Sequence, residues 1–186
     1  MVGYLGTDTS GREHDPDHVI LLDPERRPIG TALKSTVHTT QTPLHLAFSC
    51  HIMDPEGRVL LTRRSLDKKA WPGVWTNSVC GHPAPGESLE DAVRRRTRYE
   101  LGIDLDELSL TLPDFQYRAV DASGIVENEF CPVYTARTTS TPVPRPSEVA
   151  EYQWARPEDL EIAVSATPWA FSPWIVLQLA AIRAAA

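Results

Sequence analysis

The sequence has no excess of positive charge. Its 18 Lys and Arg residues stand against 25 Asp and Glu residues, which leaves a formal net charge of -7. General nucleic-acid binding needs a basic surface, so the composition argues against that class of function. An anionic ligand would have to be held by a local cluster of Lys and Arg, because the field of the whole protein would repel it.

Cysteines and long hydrophobic runs are scarce as well. Cys50, Cys80 and Cys131 are an odd number of cysteines, and residues 1–22 contain no long apolar segment of the kind found in secretory leaders. We therefore expect no disulfide framework and a reducing, cytoplasmic location. Pro173 interrupts the most apolar stretch and Arg183 closes it, so we expect no membrane span.

The length of 186 residues favours a single domain. We expect residues 1–17, which are polar, to form a flexible N-terminal tail, and residues 18–186 to form the domain. Apolar alternation and turn signals predict a hairpin and further strands at 18–34, 44–53, 58–63, 75–79, 115–120, 125–137 and 149–154. Residues 35–43 should be irregular.

Two main helices are predicted among these strands. The first covers residues 87–101, with Ser88 as its N-cap and Gly102 just after its end. The second begins at Ser172, with Pro173 in its first turn, and a short helical turn is expected at 157–161. Strands mixed with two helices indicate an α/β or α+β fold, with mixed β-sheets flanked by helices.

Two carboxylates stand two residues apart in an otherwise apolar strand, at Glu127 and Glu129. Residues i and i+2 of a strand face the same way, so this pair either forms a solvent-exposed face or is buried together. A buried pair would repel unless a cation neutralised it, and imidazoles with carboxylates suit a divalent transition metal. The fold would have to bring together the candidate ligands His38, His45, His82, Glu127 and Glu129.

Cys80 stands at the end of a predicted strand, two residues before His82. A buried structural cysteine is the common case, but catalytic groups often lie at such positions, where nearby cations would favour a thiolate. Both interpretations stay open on the pattern alone. Cys50 and Cys131 lie within apolar strands and are interpreted as packing residues.

Basic residues precede and populate the first predicted helix. They form either a solvated helix face or a clamp for a diphosphate, in which Glu100 would hold a bridging Mg²⁺ ion. The cluster consists of Arg63, Arg64, Lys68, Lys69, Arg94, Arg95, Arg96 and Arg98.

Residues 81–103 resemble the Nudix box, G-x5-E-x7-R-E-U-x-E-E-x-G-U, in which U is a bulky aliphatic residue. The matching positions are Gly81, Glu87, Arg95, Glu100, Gly102 and Ile103. Arg96 and Tyr99 stand where the box has Glu, and Thr97 takes the aliphatic position. Nudix hydrolases use those acids to gather metals that activate water, so their loss favours a site that grips a diphosphate without hydrolysing it.

The altered box and the strings around it resemble the type I isopentenyl-diphosphate isomerases over about residues 18–180. The strings are LHLAFS at 44–49, TRR at 62–64, KKAWPGVWTNSVCGHP at 68–83, RYELG at 98–102, GIVENE at 124–129 and TPWAFSPW at 167–174. The resemblance implies a single Nudix-like domain. It also implies interconversion of isopentenyl and dimethylallyl diphosphate through a carbocation-like intermediate, in isoprenoid biosynthesis.

The same resemblance implies a role for each site residue. Cys80 and Glu129 would be the catalytic pair, Tyr117 would partner Glu129, and Trp174 would lie over the substrate. The diphosphate would be gripped by Lys34, Arg64, Lys68 and Arg96, and Glu100 would contact Mg²⁺ bound with it. One divalent transition metal, Mn, Zn or Mg, would be held by His38, His45, His82, Glu127 and Glu129.

The implied partner is a small prenyl diphosphate, bound by a monomer with no nucleic acid. Two rival functions remain on the sequence alone. A diphosphohydrolase of the Nudix type would need the acids that Arg96 and Tyr99 replace. A non-catalytic domain that binds metal or prenyl diphosphate would leave the combination of Cys, Glu, Tyr and Trp without a purpose.

Overall fold

Two β-sheets and the helices around them make up residues 18–185, the part of the chain described by this computed structural model. The expected tail at residues 1–17 lies outside the described residues. The strands are β1 (His18–Leu22), β2 (Pro28–Leu33), β3 (His45–Leu46), β4 (Phe48–Met53), β5 (Val59–Arg64), β6 (Trp75–Thr76), β7 (Val79–Gly81), β8 (Glu107–Leu112), β9 (Gln116–Val120), β10 (Val126–Phe130), β11 (Val133–Arg137) and β12 (Val149–Ala155).

The helices are α1 (Lys34–Val37), α2 (Leu89–Leu101), α3 (Pro157–Ala166), the 3₁₀ turn Pro168–Ala170 and α4 (Pro173–Ala185). One sheet has the strand order β2-β1-β3-β10-β9. The other has the order β12-β5-β4-β11-β8, with β6 paired to β5 and β7 paired to β4. Both sheets mix parallel and antiparallel pairs, so the expected mixed-sheet α/β architecture is confirmed. None of the helices in this described part is long and apolar enough to cross a membrane.

The predicted ends of α2 are confirmed. The Ser88 hydroxyl accepts a hydrogen bond from the Asp91 backbone N–H at 3.1 Å, which satisfies a donor that the first turn leaves open. Gly102 has φ 65°, a left-handed conformation that glycine adopts without steric cost, and its N–H donates to the Arg98 carbonyl. The N-terminal hairpin and the start of α4 at Pro173 are likewise as predicted.

The prediction of one strand over residues 125–137 is wrong. β10 belongs to the first sheet and β11 to the second, and the chain crosses between them at Cys131 and Pro132. Proline has no N–H to donate to a strand ladder, which favours a break at this place.

The single strand predicted over residues 44–53 is divided in the same way. It breaks at Ala47, between β3 and β4. The Ala47 N–H donates to the Phe130 carbonyl at 2.9 Å, and the Ser49 N–H donates to the Pro132 carbonyl at 3.1 Å. The two segments therefore pass from sheet to sheet side by side, which ties the sheets together at one place.

Three smaller expectations are also corrected. Residues 107–112, for which no strand was predicted, form β8, which pairs with β11. The helical turn expected at 157–161 extends over ten residues, as α3. The segment 35–43 is irregular except for its start, where α1 forms a single turn.

Three apolar clusters hold these elements together. The largest joins the second sheet to α2 and includes Phe48, Ile52, Leu60 and Val93. A second joins α3 and α4 to β5 through Leu160, Val164 and Ile175. The third, built on Trp71, Tyr117, Cys131 and Trp174, lies where the chain crosses between the sheets.

Candidate active site

A cavity of about 570 Å³ opens beside this crossing. It is lined by all of the site residues implied by the resemblance except His45. His45 is fully buried and contacts two of the lining residues, His82 and Glu129. The structure therefore brings together side chains from segments that are more than 100 residues apart in the sequence.

Three imidazoles and one carboxylate converge at one place. The ligand atoms of His38, His45, His82 and Glu129 all lie within 4.8 Å of one another. His82 Nε2 is 3.2 Å from both His45 Nε2 and Glu129 Oε1. The site thus offers the mixed nitrogen and oxygen ligands that divalent transition metals accept.

Strand pairing places these residues. In the parallel pair β3–β10, Glu129 is opposite His45, and in the antiparallel pair β9–β10 it is opposite Tyr117. His45 Nδ1 lies 2.9 Å from the carbonyl of Pro43, which can only accept, so Nδ1 carries the proton. In the neutral ring this hydrogen bond makes Nε2 of His45 the nitrogen with the lone pair, and Nε2 faces the cluster, the arrangement usual for a metal-binding imidazole.

Glu127 lies at the edge of the cluster and faces His38. Glu127 Oε2 and His38 Nε2 are 3.1 Å apart without hydrogen-bond geometry. Within residues 18–185, both of these buried atoms and His82 Nδ1 lack a hydrogen-bond partner. Buried polar atoms are rarely left without a hydrogen-bond partner. His38 Nε2 and Glu127 Oε2 face each other with their lone pairs, an arrangement that fits two ligands of one divalent cation. Both carboxylates of β10 are buried, so the solvent-exposed alternative is wrong.

Burial controls the protonation of the His82 imidazole and of the Glu127 carboxyl. It lowers the pKa of His82 to about 3, so this ring stays neutral and keeps a lone pair. Burial, together with the charge of Glu129, raises the pKa of Glu127. A cation bound between these groups would relieve that repulsion.

Cys80 lies on β7, opposite Ser49 of β4. Its Sγ is 3.2 Å from Ser49 Oγ and donates to Asn77 Oδ1 at 3.2 Å. Burial raises the pKa of the thiol to about 12, although the hydrogen bond with Ser49 and the charge of Arg64 oppose the rise. Arg64 favours the thiolate, as expected of a nearby cation, but burial outweighs this effect and Cys80 carries its proton at neutral pH.

Aromatic side chains form another wall of the cavity. The Tyr117 hydroxyl donates to Glu129 Oε2 at 2.9 Å. The Tyr117 ring lies 5.6 Å from the ring of Trp174, which α4 inserts between the sheets. Trp71 meets Trp174 edge-on at the same distance, so the indole is held on two sides.

The cations of the predicted diphosphate grip also line the cavity. Arg96 is 2% exposed, and its Nη2 lies 2.7 Å from Glu100 Oε1 and 2.6 Å from Glu148 Oε2. Burial and the charges of Arg96 and Lys68 lower the pKa of Lys34 well below its usual value. For Arg96 the solvated-face alternative is wrong, whereas Arg98 is exposed and pairs with Asp104.

Three residues at the site were not predicted. Glu148, just before β12, pairs with Lys68 as well as Arg96 and so balances the charge of the grip. Ser49 and Asn77 contact the Cys80 sulfur. The two polar residues stand in the strings LHLAFS and WTNSVCGHP, which could have drawn attention to them, whereas Glu148 stands in a Pro-rich connection without a motif.

Solved structures of other proteins share this fold. A protein from Deinococcus radiodurans superimposes with a TM-score of 0.69 and 23% identity, over 89% of this chain and 98% of its own. A MutT protein from Methanosarcina mazei gives a TM-score of 0.54 and 23% identity, over 63% of this chain and 80% of its own. These likenesses concern the fold alone.

Sequence comparison gives a closer relationship. The sequence model of the NUDIX domain matches residues 43–175. A protein named isopentenyl-diphosphate Delta-isomerase from Kocuria rhizophila is 61% identical to this chain, over 86% of this chain and 89% of its own length. Another of the same name, from Leifsonia xyli, is 60% identical over 91% of this chain and 92% of its own length. One from Salmonella arizonae is 56% identical, over 87% and 89%. The chain belongs to the NUDIX domain family and, within it, to the isopentenyl-diphosphate Delta-isomerases.

Proposed function

We propose that this protein interconverts isopentenyl diphosphate and dimethylallyl diphosphate. One observation carries the proposal: a protonated thiol, a carboxylate hydrogen-bonded to a tyrosine and a buried cluster of cations line the same cavity. The reaction requires these three things, namely a proton donor, a proton acceptor and a grip on the diphosphate. The relatives at about 60% identity carry the name of the enzyme for this reaction.

The cations would hold the diphosphate end of the substrate. Arg64, Lys68 and Arg96 contribute positive charge within a cavity where burial strengthens each interaction with phosphate oxygens. Lys34 lies with them, and the negative charge of a bound diphosphate would raise its lowered pKa and favour its protonated form. Glu100, beside Arg96, is suitably placed to contact Mg²⁺ bound with the diphosphate. Binding at this end would leave the hydrocarbon end near the aromatic wall.

The chemistry moves a double bond by one carbon. A proton is added to the terminal carbon of the alkene, which leaves a tertiary carbocation, and another proton is then removed from the carbon on its other side. We propose that Cys80 and the Glu129–Tyr117 pair act from opposite faces of the alkene, with one delivering a proton and the other accepting one.

The cationic intermediate needs protection from water and from nucleophiles. Tyr117 and Trp174 supply an apolar wall that is backed by Trp71, and the face of the Trp174 ring would attract the developing positive charge. Cys80 is protonated at neutral pH, so its sulfur is a weaker nucleophile toward the cation than a thiolate would be.

We further propose that His38, His45, His82, Glu127 and Glu129 hold one divalent metal, Mn, Zn or Mg. The buried atoms of His38 and Glu127 that lack a partner among the described residues support this assignment, as does the convergence of His38, His45, His82 and Glu129. Such a metal would supply positive charge that fixes the position and acidity of a proton on Glu129.

The proposal is tested by incubating the protein with isopentenyl diphosphate and Mg²⁺ and following the products by NMR. Dimethylallyl diphosphate is expected, without free phosphate or diphosphate. Release of phosphate or diphosphate would instead identify a hydrolase of the Nudix type. We also propose a cytoplasmic monomer, and light scattering on the purified protein checks its mass.

A further inference from the structure

Asn77 is a fully buried amide between β6 and β7 that contacts two of the residues proposed for the chemistry. Its Oδ1 accepts hydrogen bonds from the Trp174 indole N–H at 3.0 Å and from the Cys80 thiol at 3.2 Å. The thiol and the indole, which come from β7 and α4, are thus joined through one oxygen atom.

The orientation of this amide is fixed by its surroundings. Asn77 Nδ2 donates to the backbone carbonyls of Cys50, at 3.1 Å, and Val79, at 2.9 Å. If the amide were turned over, its oxygen would face these two carbonyls, and its nitrogen would face an indole N–H, which can only donate. The oxygen is therefore held toward Trp174 and Cys80.

The Thr76 hydroxyl is a third possible donor to Asn77 Oδ1, but it has another acceptor available. The Thr76 hydroxyl lies 3.0 Å from Asn77 Oδ1 and 2.8 Å from the Ser172 hydroxyl, and either hydroxyl of that pair can donate. An amide oxygen has two acceptor sites. With Thr76 donating to Ser172, these two sites are left for the indole and the thiol.

We propose that Asn77 is a positioning residue, which holds the Cys80 sulfur and the Trp174 ring at a fixed separation and orientation around the alkene. It exchanges no proton with the substrate. The inference rests on the proposed function and goes beyond it, because it assigns the alignment of the Cys80 thiol and the Trp174 ring to one amide. Misplacement of reacting groups by about 1 Å costs on the order of 100-fold in rate, so this alignment matters for turnover.

The test compares Asn77→Ala with the wild-type protein in steady-state kinetics on isopentenyl diphosphate. We expect kcat to fall by about 10- to 100-fold. KM should stay within about twofold, since the cations that grip the diphosphate are untouched. A kcat within about twofold of the wild-type value would overturn the inference, as would a loss confined to KM.

Ser78→Ala is the matched control. Ser78 is adjacent and equally buried, and its hydroxyl accepts from the Ile52 N–H and donates to the Leu60 carbonyl, both at 2.7 Å. The control should lose stability through its broken buried hydrogen bonds while kcat is retained. If Ser78→Ala lowered kcat as much as Asn77→Ala, general loosening of this segment would be the cause and the inference would be overturned.

A double-mutant cycle with Trp174→Phe tests whether Asn77 acts through the indole. Phenylalanine keeps an aromatic ring but has no N–H to donate. We expect Asn77→Ala to reduce kcat by a smaller factor in the Trp174→Phe background than in the wild-type protein. If the loss of kcat in the double variant equalled the product of the losses in the two single variants, the inference would be contradicted.

The wild-type protein gives an answer if Asn77→Ala does not fold. A buried, hydrogen-bonded indole N–H should exchange slowly in D₂O, and the Trp174 signal is identified by its loss in Trp174→Phe. Exchange of this signal as fast as that of an exposed indole would overturn the inference. If the wild-type protein produced no dimethylallyl diphosphate, the proposed function would fail, and the exchange measurement would still report on the Asn77 bond.

Discussion

At the scale of single residues, burial sets the protonation states in the cavity. It lowers the pKa of His82 to about 3 and raises that of the Cys80 thiol to about 12. At neutral pH the imidazole is therefore a neutral ligand and the thiol keeps its proton. The His82 ring is held in the form that a metal ligand requires and the thiol in the form that can deliver a proton, because the folded chain keeps both from water.

Replacing Cys80 by Ala should abolish isomerisation and leave the grip on the diphosphate intact. The substitution removes the sulfur and its proton, but it touches none of the cations that line the cavity. Turnover is measured with isopentenyl diphosphate, and binding of inorganic diphosphate is measured by calorimetry. Cys50→Ala is the control, since Cys50 is buried against α2 and should be dispensable for turnover. Loss of binding in Cys80→Ala would point to a structural cysteine.

Replacing Glu127 by Gln should strip the transition metal from the protein. The amide keeps the shape of the side chain but loses the charge that would compensate a cation opposite His38. Metal content is measured by elemental analysis after purification, with Glu107→Gln on the outer strand β8 as the control. A Glu127→Gln protein with full metal content would refute the ligand assignment.

The site could be predicted largely from local strings, because WTNSVCGHP and GIVENE each carry several of its residues. Glu148 could not, since its partner Arg96 is 52 positions away in the sequence and only the fold brings them within 2.6 Å. The protonated state of Cys80 was missed for a related reason. Nearby cations can be counted in a sequence, whereas the desolvation that outweighs them depends on three-dimensional packing.

At the scale of elements, the site is created where two chain segments change sheets together. Apolar alternation predicted extended chain over residues 44–53 and 125–137, and both segments are extended. Alternation reports the faces of a strand but not its neighbours, so the division of each segment between two sheets could not be derived from it. Pro132 was the one local signal of the break.

Gly81 should be needed for the approach of α2 to β7. A Cβ at this position would lie 3.0 Å from both Arg96 Cγ and Phe48 Cζ, closer than atoms normally pack. Gly81→Ala should therefore displace Arg96 and weaken binding of inorganic diphosphate by about tenfold, measured by calorimetry. Gly57→Ala, at a turn with φ 78° and open space around it, should reduce stability alone. Unchanged affinity in Gly81→Ala would show that Arg96 is not part of the grip.

At the scale of the whole molecule, an acidic protein gathers basic side chains at one end of a single cavity. The net charge is -7, yet Lys34, Arg64, Lys68 and Arg96 line one cavity. The sequence predicted such a local cluster from the need to hold an anion. The order of the strands in the two sheets could not be predicted, because it depends on pairings between distant segments.

The stability of the fold should fall as the pH is lowered from about 6.5 to about 4. Burial lowers the pKa of His51 to about 4, and its Nε2 lies 3.0 Å from Gln178 Oε1 of α4. In that window the unfolded chain binds a proton that the folded chain does not, so the free energy of unfolding drops by up to about 3 kcal/mol. Urea unfolding at about pH 7 and about pH 4.5 measures this change. His51→Gln should show a smaller change, and an equal one would contradict the assignment to His51.

The most direct test of the account is proton exchange during turnover in D₂O. Isopentenyl diphosphate is incubated with the wild-type protein and Mg²⁺, with and without a chelator, and deuterium is located by NMR. The account predicts dimethylallyl diphosphate that carries deuterium in a methyl group, and loss of this product when the chelator is present. Substrate recovered without isomer and without deuterium would contradict it.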